Sequence, residues 1–127
     1  MNTFETFDQG QIIMPAARKN AIDIQWNKHP TFQGVELKHL ITAKETDGQF
    51  SYHLVRIAPD CSIKLHIHET QLETHEVIDG FGECRCADNQ IVYNTGVIAV
   101  IPAGVEHEVT AGEKGLYLFA KFIPALC

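Results

Sequence analysis

The sequence has no long apolar run, no excess of positive charge, little cysteine and no sustained helical periodicity. Each absence excludes something. No apolar stretch approaches the ~20 residues that a membrane-spanning helix needs. Met1 to Gly10 is polar and carries acids, so it lacks the basic and apolar regions of an export signal. Lys and Arg number 10 against 16 Asp and Glu, for a net charge of -6 with His neutral. The basic residues are scattered, whereas a nucleic-acid surface needs them gathered on one face. The expectation is a cytoplasmic protein with neither nucleic acid nor membrane as a partner.

The four cysteines are Cys61, Cys84, Cys86 and Cys127. Without an export signal they are expected to be reduced thiols. Cys84 and Cys86 stand at i and i+2 in an extended stretch, which puts their α-carbons roughly 6.6 Å apart at ~3.3 Å per residue. That is near the upper limit for a disulfide. They read as small core residues, with a second metal site or a redox role as the alternatives. Cys127, at the end of the sequence, reads as uninformative.

What is present is a chain of 127 residues, 45% hydrophobic, which suits one domain over residues 1–127 with one core. Apolar and polar residues alternate in short stretches bounded by turn residues. Extended segments are expected at Ile22–Trp26, Val35–Ala43, Phe50–Ala58, Ser62–His68, Glu73–Asp79, Glu83–Ala87, Gln90–Tyr93, Val97–Ile101, Glu106–Thr110 and Leu116–Ile123. Asn27–Pro30, Asp47–Gly48, Gly80–Gly82, Asp88–Asn89 and Ala111–Lys114 read as breaks. Such spacing implies an all-β sandwich or barrel. Residues about 35–123 would make the barrel, with an N-terminal arm before it.

The chemistry gathers around His66 and His68. Two residues at i and i+2 of a strand point to the same side. A carboxylate and a third imidazole from neighbouring strands, Glu73 and His107, would complete a metal site. Three imidazoles and one carboxylate suit a borderline transition ion. On an octahedral ion they leave two positions open; structural zinc sites usually use cysteine instead.

The spacing is specific beyond these residues. His66-x-His68, four residues, Glu73, six residues and Gly80 resembles the first cupin motif. Gly96, five residues, Pro102-x-Gly104, two residues and His107 resembles the second. Fifteen residues separate Gly80 from Gly96, the compact intermotif spacing of small cupins. The resemblance covers about Pro59 to Thr110. Two positions depart from it: Asp60 stands where a glycine is expected, and Ala111 where an Asn often ends the second motif. The resemblance implies a double-stranded β-helix, or jelly-roll barrel. It also implies one divalent transition metal per chain held by His66, His68, Glu73 and His107. Mn, Fe or Ni is favoured, and Co or Zn is admitted.

His75 is the candidate catalytic residue. It shares strand parity with Glu73, so it points inward as a proton donor, a partner of the ligands or a fifth ligand. Lys64 and Gln71 read as outward or solvated, His53 as facing either way, and His29 and His39 as surface or structural. The implied function is a metal-dependent enzyme acting on a small molecule, leaning towards oxygenase-type chemistry. The alternatives are a cupin isomerase or lyase and a non-catalytic binding or sensing cupin. The apolar run Ile12–Met14 and the alternating stretch after it predict a homodimer in which N-terminal strands extend a partner's sheet.

Overall fold

The computed structural model describes all residues, 1–127. Ten strands and two short helices follow in order: α1 Thr3–Asp8, β1 Gln11–Met14, β2 Ala17–Asn20, β3 Trp26–Lys28, β4 Val35–Ile41, α2 Ala43–Thr46, β5 Ser51–Ile57, β6 Ser62–His66, β7 Leu72–Cys86, β8 Asn89–Asn94, β9 Ile98–Ile101 and β10 His107–Ile123. The main sheet runs β3-β4-β5-β10-β7-β8, with β6 pairing β10 and β9 pairing β7, all antiparallel. This is the all-β jelly-roll barrel that the resemblance implies.

Burial explains the strand pattern. On β5, Ser51, His53, Val55 and Ile57 face the barrel interior, and on β10 so do Leu116, Leu118, Ala120 and Phe122. The opposite faces are covered too. Leu40, Leu54 and Phe119 pack with Phe4 and Ala21 in a second apolar cluster outside the barrel. The N-terminal arm is what covers them. Asn2 caps α1 through the Glu5 N–H, and Phe4 rests against Tyr117 at 4.6 Å between ring centroids. Lys38, 2% exposed, donates to the carbonyls of Asp8 and Ala21 and pairs with the Asp8 carboxylate. A buried ammonium needs those partners. The arm therefore lies on its own barrel, and β3 adds to its own sheet beside β4.

Several boundaries differ from the sequence expectation. The extended stretch expected at Ile22–Trp26 is a 3-10 turn at Ala21–Asp23, and the strand is β3, which runs through the expected break at Asn27. Pairing with Glu36–Lys38 supplies β3 with hydrogen bonds that its own residue types do not advertise. Two expected pairs of strands are single long strands, β7 and β10. The breaks at Gly80–Gly82 and Ala111–Lys114 are register shifts within a continuous ladder. Gly80 (φ 74°) and Gly115 (φ 82°) face each other, and a Cβ on Gly80 would meet the Gly115 carbonyl oxygen. Glycine here bends the ladder without ending it.

Candidate metal centre

The strand β6 delivers His66, and the two residues beyond it deliver His68. Glu73 comes from the start of β7 and His107 from the start of β10, where it pairs with His66 in register. One donor atom from each of the four lies within 4.8 Å of the others. The structure thus brings together all four residues singled out from sequence.

Their hydrogen bonds fix the tautomers. His66 Nδ1 lies 2.7 Å from the Lys64 carbonyl oxygen, and His107 Nδ1 lies 3.0 Å from that of Val105. A carbonyl can only accept, so each Nδ1 carries the proton and each Nε2 presents a lone pair. Burial holds His66 and His68 below the ordinary imidazole pKa, which keeps them neutral. His107 is different. Burial opposes its charge, but the Glu73 carboxylate and the Val105 carbonyl outweigh that and raise its pKa. Burial would likewise raise Glu73, yet the rings of His75 and His107 hold its pKa below the carboxylate range.

Two atoms are left with a need. Glu73 Oε1 and His107 Nε2 are buried and make no hydrogen bond. They stand 3.0 Å apart, and with the Nε2 lone pair facing a carboxylate oxygen neither atom can donate to the other. Unpaired polar atoms in the interior each cost about 1–3 kcal/mol. A cation among the four donors would satisfy both, so the donor set fits a divalent ion.

His75 points inward, as its parity requires, and is 2% exposed. The two side chains converge more than the strand repeat suggests: Nε2 reaches Glu73 Oε2 at 2.7 Å, and Nδ1 sits 2.8 Å from the Tyr93 hydroxyl. The consistent assignment is Tyr93 O–H to Nδ1 and Nε2–H to Glu73. Burial raises the Tyr93 pKa strongly, which keeps that hydroxyl protonated. His75 therefore orients Glu73, occupies Oε2 and leaves Oε1 for the centre.

A cavity of about 80 Å³ is lined by three of the four donors, His66, His68 and Glu73. Its remaining wall is mostly apolar: Leu37, Val55, Ile63, Leu118, Phe122 and Leu126. Lys64 is exposed, as expected. Gln71 is only half-buried and donates to the Ala125 carbonyl. His29 does more than sequence suggests, since it lines the cavity. Its Nδ1 accepts the N–H groups of Thr31 and Phe32, so its proton sits on Nε2. Only the fold brings the segment after β3 to the mouth, and no local pattern marks it.

Comparison with known proteins places these features in context. The Cupin domain family model, Cupin_2, matches residues 53–119. The fold is similar to that of a predicted oxalate decarboxylase from Thermotoga maritima, at 20% identity and TM-score 0.74 over 81% of this chain and 95% of that one. It is similar to KdgF from Halomonas sp., at 18% identity and TM-score 0.69 over 79% and 87%. It is also similar to ectoine synthase from P. lautus, at 19% identity and TM-score 0.67 over 74% and 67%. A search of curated proteins finds no match.

Proposed function

The chain belongs to the cupin-domain family, and from that premise we propose that it is a metal-dependent enzyme that oxidises a small organic molecule with dioxygen. His66, His68, Glu73 and His107 would hold one divalent transition ion, with Mn, Fe or Ni favoured and Co or Zn admitted. The observation that carries this reading is the pair of unsatisfied buried atoms, Glu73 Oε1 and His107 Nε2, inside a four-donor cluster. When bound, the ion supplies Lewis acidity and open positions for oxygen ligands.

The chain's own residues set the rest. At ~30 Å³ of liquid volume per water, the cavity of about 80 Å³ holds roughly two or three waters, so the substrate is a compact molecule. Its oxygen-bearing end faces the four donors and its carbon skeleton meets Leu37, Val55 and Phe122. No buried Lys or Arg lines the cavity, so the wall has no second counter-charge for a dianion. His75 acts as a positioning residue: both its nitrogens are engaged, although its ring reaches the cavity wall. Without a free acid or base beside the donors, the apolar wall favours chemistry centred on the ion.

A lyase or isomerase reading has one observation in its favour. The Nε2–H of His29 makes no bond within the protein and lies at the cavity, where it can donate a hydrogen bond to a substrate oxygen that gains charge. The test is metal analysis of the purified protein, then a panel of small hydroxy, keto and phenolic acids screened under air and under nitrogen. Oxygen uptake that stops under nitrogen supports oxidation. Equal turnover under nitrogen, lost in His29→Phe, assigns the lyase or isomerase instead. Tight binding without turnover makes the protein a sensing cupin.

We also propose a homodimer built through the β1–β2 hairpin. That hairpin forms its own two-stranded sheet, and Ile13 on it is 62% exposed. Sedimentation at tens of micromolar should give twice the chain mass, and Ile13→Lys should shift it to monomer. A monomer in the unsubstituted protein would refute the assembly.

A further inference from the structure

A second group of ligating side chains, apart from the metal centre, also reaches Phe122. His39 on β4 and His53 on β5 are cross-strand partners. Their Nδ1 atoms face each other at 2.7 Å. The chain after β10 folds back and brings the Cys127 thiol to them, so that one donor atom from each of the three lies within 4.8 Å of the others. We propose that His39, His53 and Cys127 form a second metal site, selective for a thiophilic d10 ion, Cu+ or Zn2+. The site is separate from the centre at His66 and does not depend on how that centre is read.

The hydrogen bonds around His53 are suited to ligation. Ser51 Oγ accepts the Leu126 N–H at 2.8 Å and lies 2.8 Å from His53 Nε2. If His53 donates through Nε2, Ser51 Oγ accepts both protons and His53 Nδ1 presents a lone pair towards His39. In the ion-free protein that lone pair can only accept the His39 Nδ1 proton. His53 is wholly buried, and burial together with the facing His39 ring pulls its pKa down to about 4. The ring is therefore neutral near pH 7.

Ion entry requires little. Tetrahedral bonds of ~2.0–2.1 Å set the two nitrogens about 3.3 Å apart, so the rings open by roughly half an ångström. The His39 proton moves from Nδ1 to Nε2, and the Cys127 thiol loses its proton to solvent. One proton is released per ion, and no oxidation is involved. The donor set is two imidazoles and one thiolate, softer than the all-nitrogen-and-oxygen centre at His66. Cys127 is exposed, which gives the ion a path in.

The bound ion would also tie down the segment that closes the cavity. Ala125 N–H donates to Gly48, Leu126 N–H to Ser51, and Ala43 N–H to Cys127, while Leu126 lines the cavity wall. Fixing the Cys127 side chain onto β4 and β5 adds a side-chain anchor to the Leu126 packing and the backbone hydrogen bonds that already hold this segment.

Cobalt is the probe that separates the two sites, because only a thiolate ligand gives a sulfur-to-cobalt charge-transfer band in the near ultraviolet. Titrating the full chain with Co2+ should bind two equivalents, with the band rising with occupancy of the thiolate site. Cys127→Ser should abolish the band and keep one equivalent. His39→Asn should weaken the band-forming site by at least about 10²-fold, more than loss of an outer partner costs. His66→Ala should keep the band while losing the other equivalent. Zn2+ and Cu+ should each bleach the band in competition, and the tighter of the two names the ion. Absence of the band at saturation, or its persistence in Cys127→Ser, would overturn the proposal.

Discussion

Two histidine clusters touch one phenylalanine ring. Phe122 packs edge-on at 5.0 Å from His68 and at 5.6 Å from His53. The two clusters are built differently. At His66, two ligands come from one extended segment at i and i+2, a carboxylate supplies charge, and backbone carbonyls fix the tautomers. At His53, the partners come from two strands and a returning chain end, the third donor is sulfur, and a serine hydroxyl fixes the ring. The first arrangement leaves a buried carboxylate oxygen and a ring nitrogen unsatisfied, whereas in the second the imidazoles satisfy each other. A cluster with unmet hydrogen-bond demand gains much from an ion. A self-satisfied cluster gains less, so its ligation should be weaker and easier to remove.

The largest expected effect is therefore at the first cluster. His66→Ala or His107→Ala should lose stoichiometric metal by elemental analysis. An ion at a hundredfold excess over its Kd contributes about 2.7 kcal/mol, so the variants should melt roughly 10 °C below the metal-loaded protein for a domain of this size. Retention of a full equivalent in His66→Ala would break the assignment.

His75→Phe comes next. It removes the donor that holds Glu73 and should weaken metal binding about 10–100-fold while leaving the stoichiometry at saturation unchanged. His75→Gln can still donate to Glu73 and should recover part of that loss. Unchanged affinity in both variants would make His75 a packing residue.

Leu126→Ala tests whether the clusters share the closing segment. Half-buried leucine truncation should cost about 1–2 kcal/mol, below the range for a full core position. It should also admit bulkier ligands to the cavity and loosen the thiolate site, as read by the cobalt band. The smallest effect is Cys127→Ser without added metal. At an exposed position, stability by thermal melting should change by less than about 0.5 kcal/mol. A larger loss in chelator-treated protein would mean that the thiol is structural.

The two clusters also differ in how far sequence reveals them. His66 and His68 sit at a spacing that strand geometry converts into direction, and Glu73 and His107 sit at spacings from the glycines and Pro102 that resemble the two cupin motifs. His39, His53 and Cys127 carry no such signal. A single histidine on an alternating strand has two possible faces, and its partner depends on which strand pairs with it. His29 reached the cavity wall for the same reason. The fold was legible as an all-β barrel because alternation and turns are local. The merging of four expected strands into β7 and β10 was not, because a left-handed glycine reads the same in a turn and in a bulge.

The arm shows the limit from another side. Ile22, Ile24 and Trp26 alternate as a strand would, yet Ala21–Asp23 turns so that Ala21 can enter the outer cluster and its carbonyl can receive Lys38. By itself the sequence determined the strand-rich class, the inward parity of Glu73 and His75, and the four residues that converge at the candidate centre. The first two follow from a period of two, and the four residues from motif spacings that resemble the cupin pattern. Only the tertiary structure decided that His75 closes onto Glu73 rather than onto free space, that the arm covers its own barrel, and that Cys127 meets His39 and His53. Those outcomes depend on pairings between segments far apart in the chain, where burial and unmet hydrogen bonds select the partner and no local spacing encodes it.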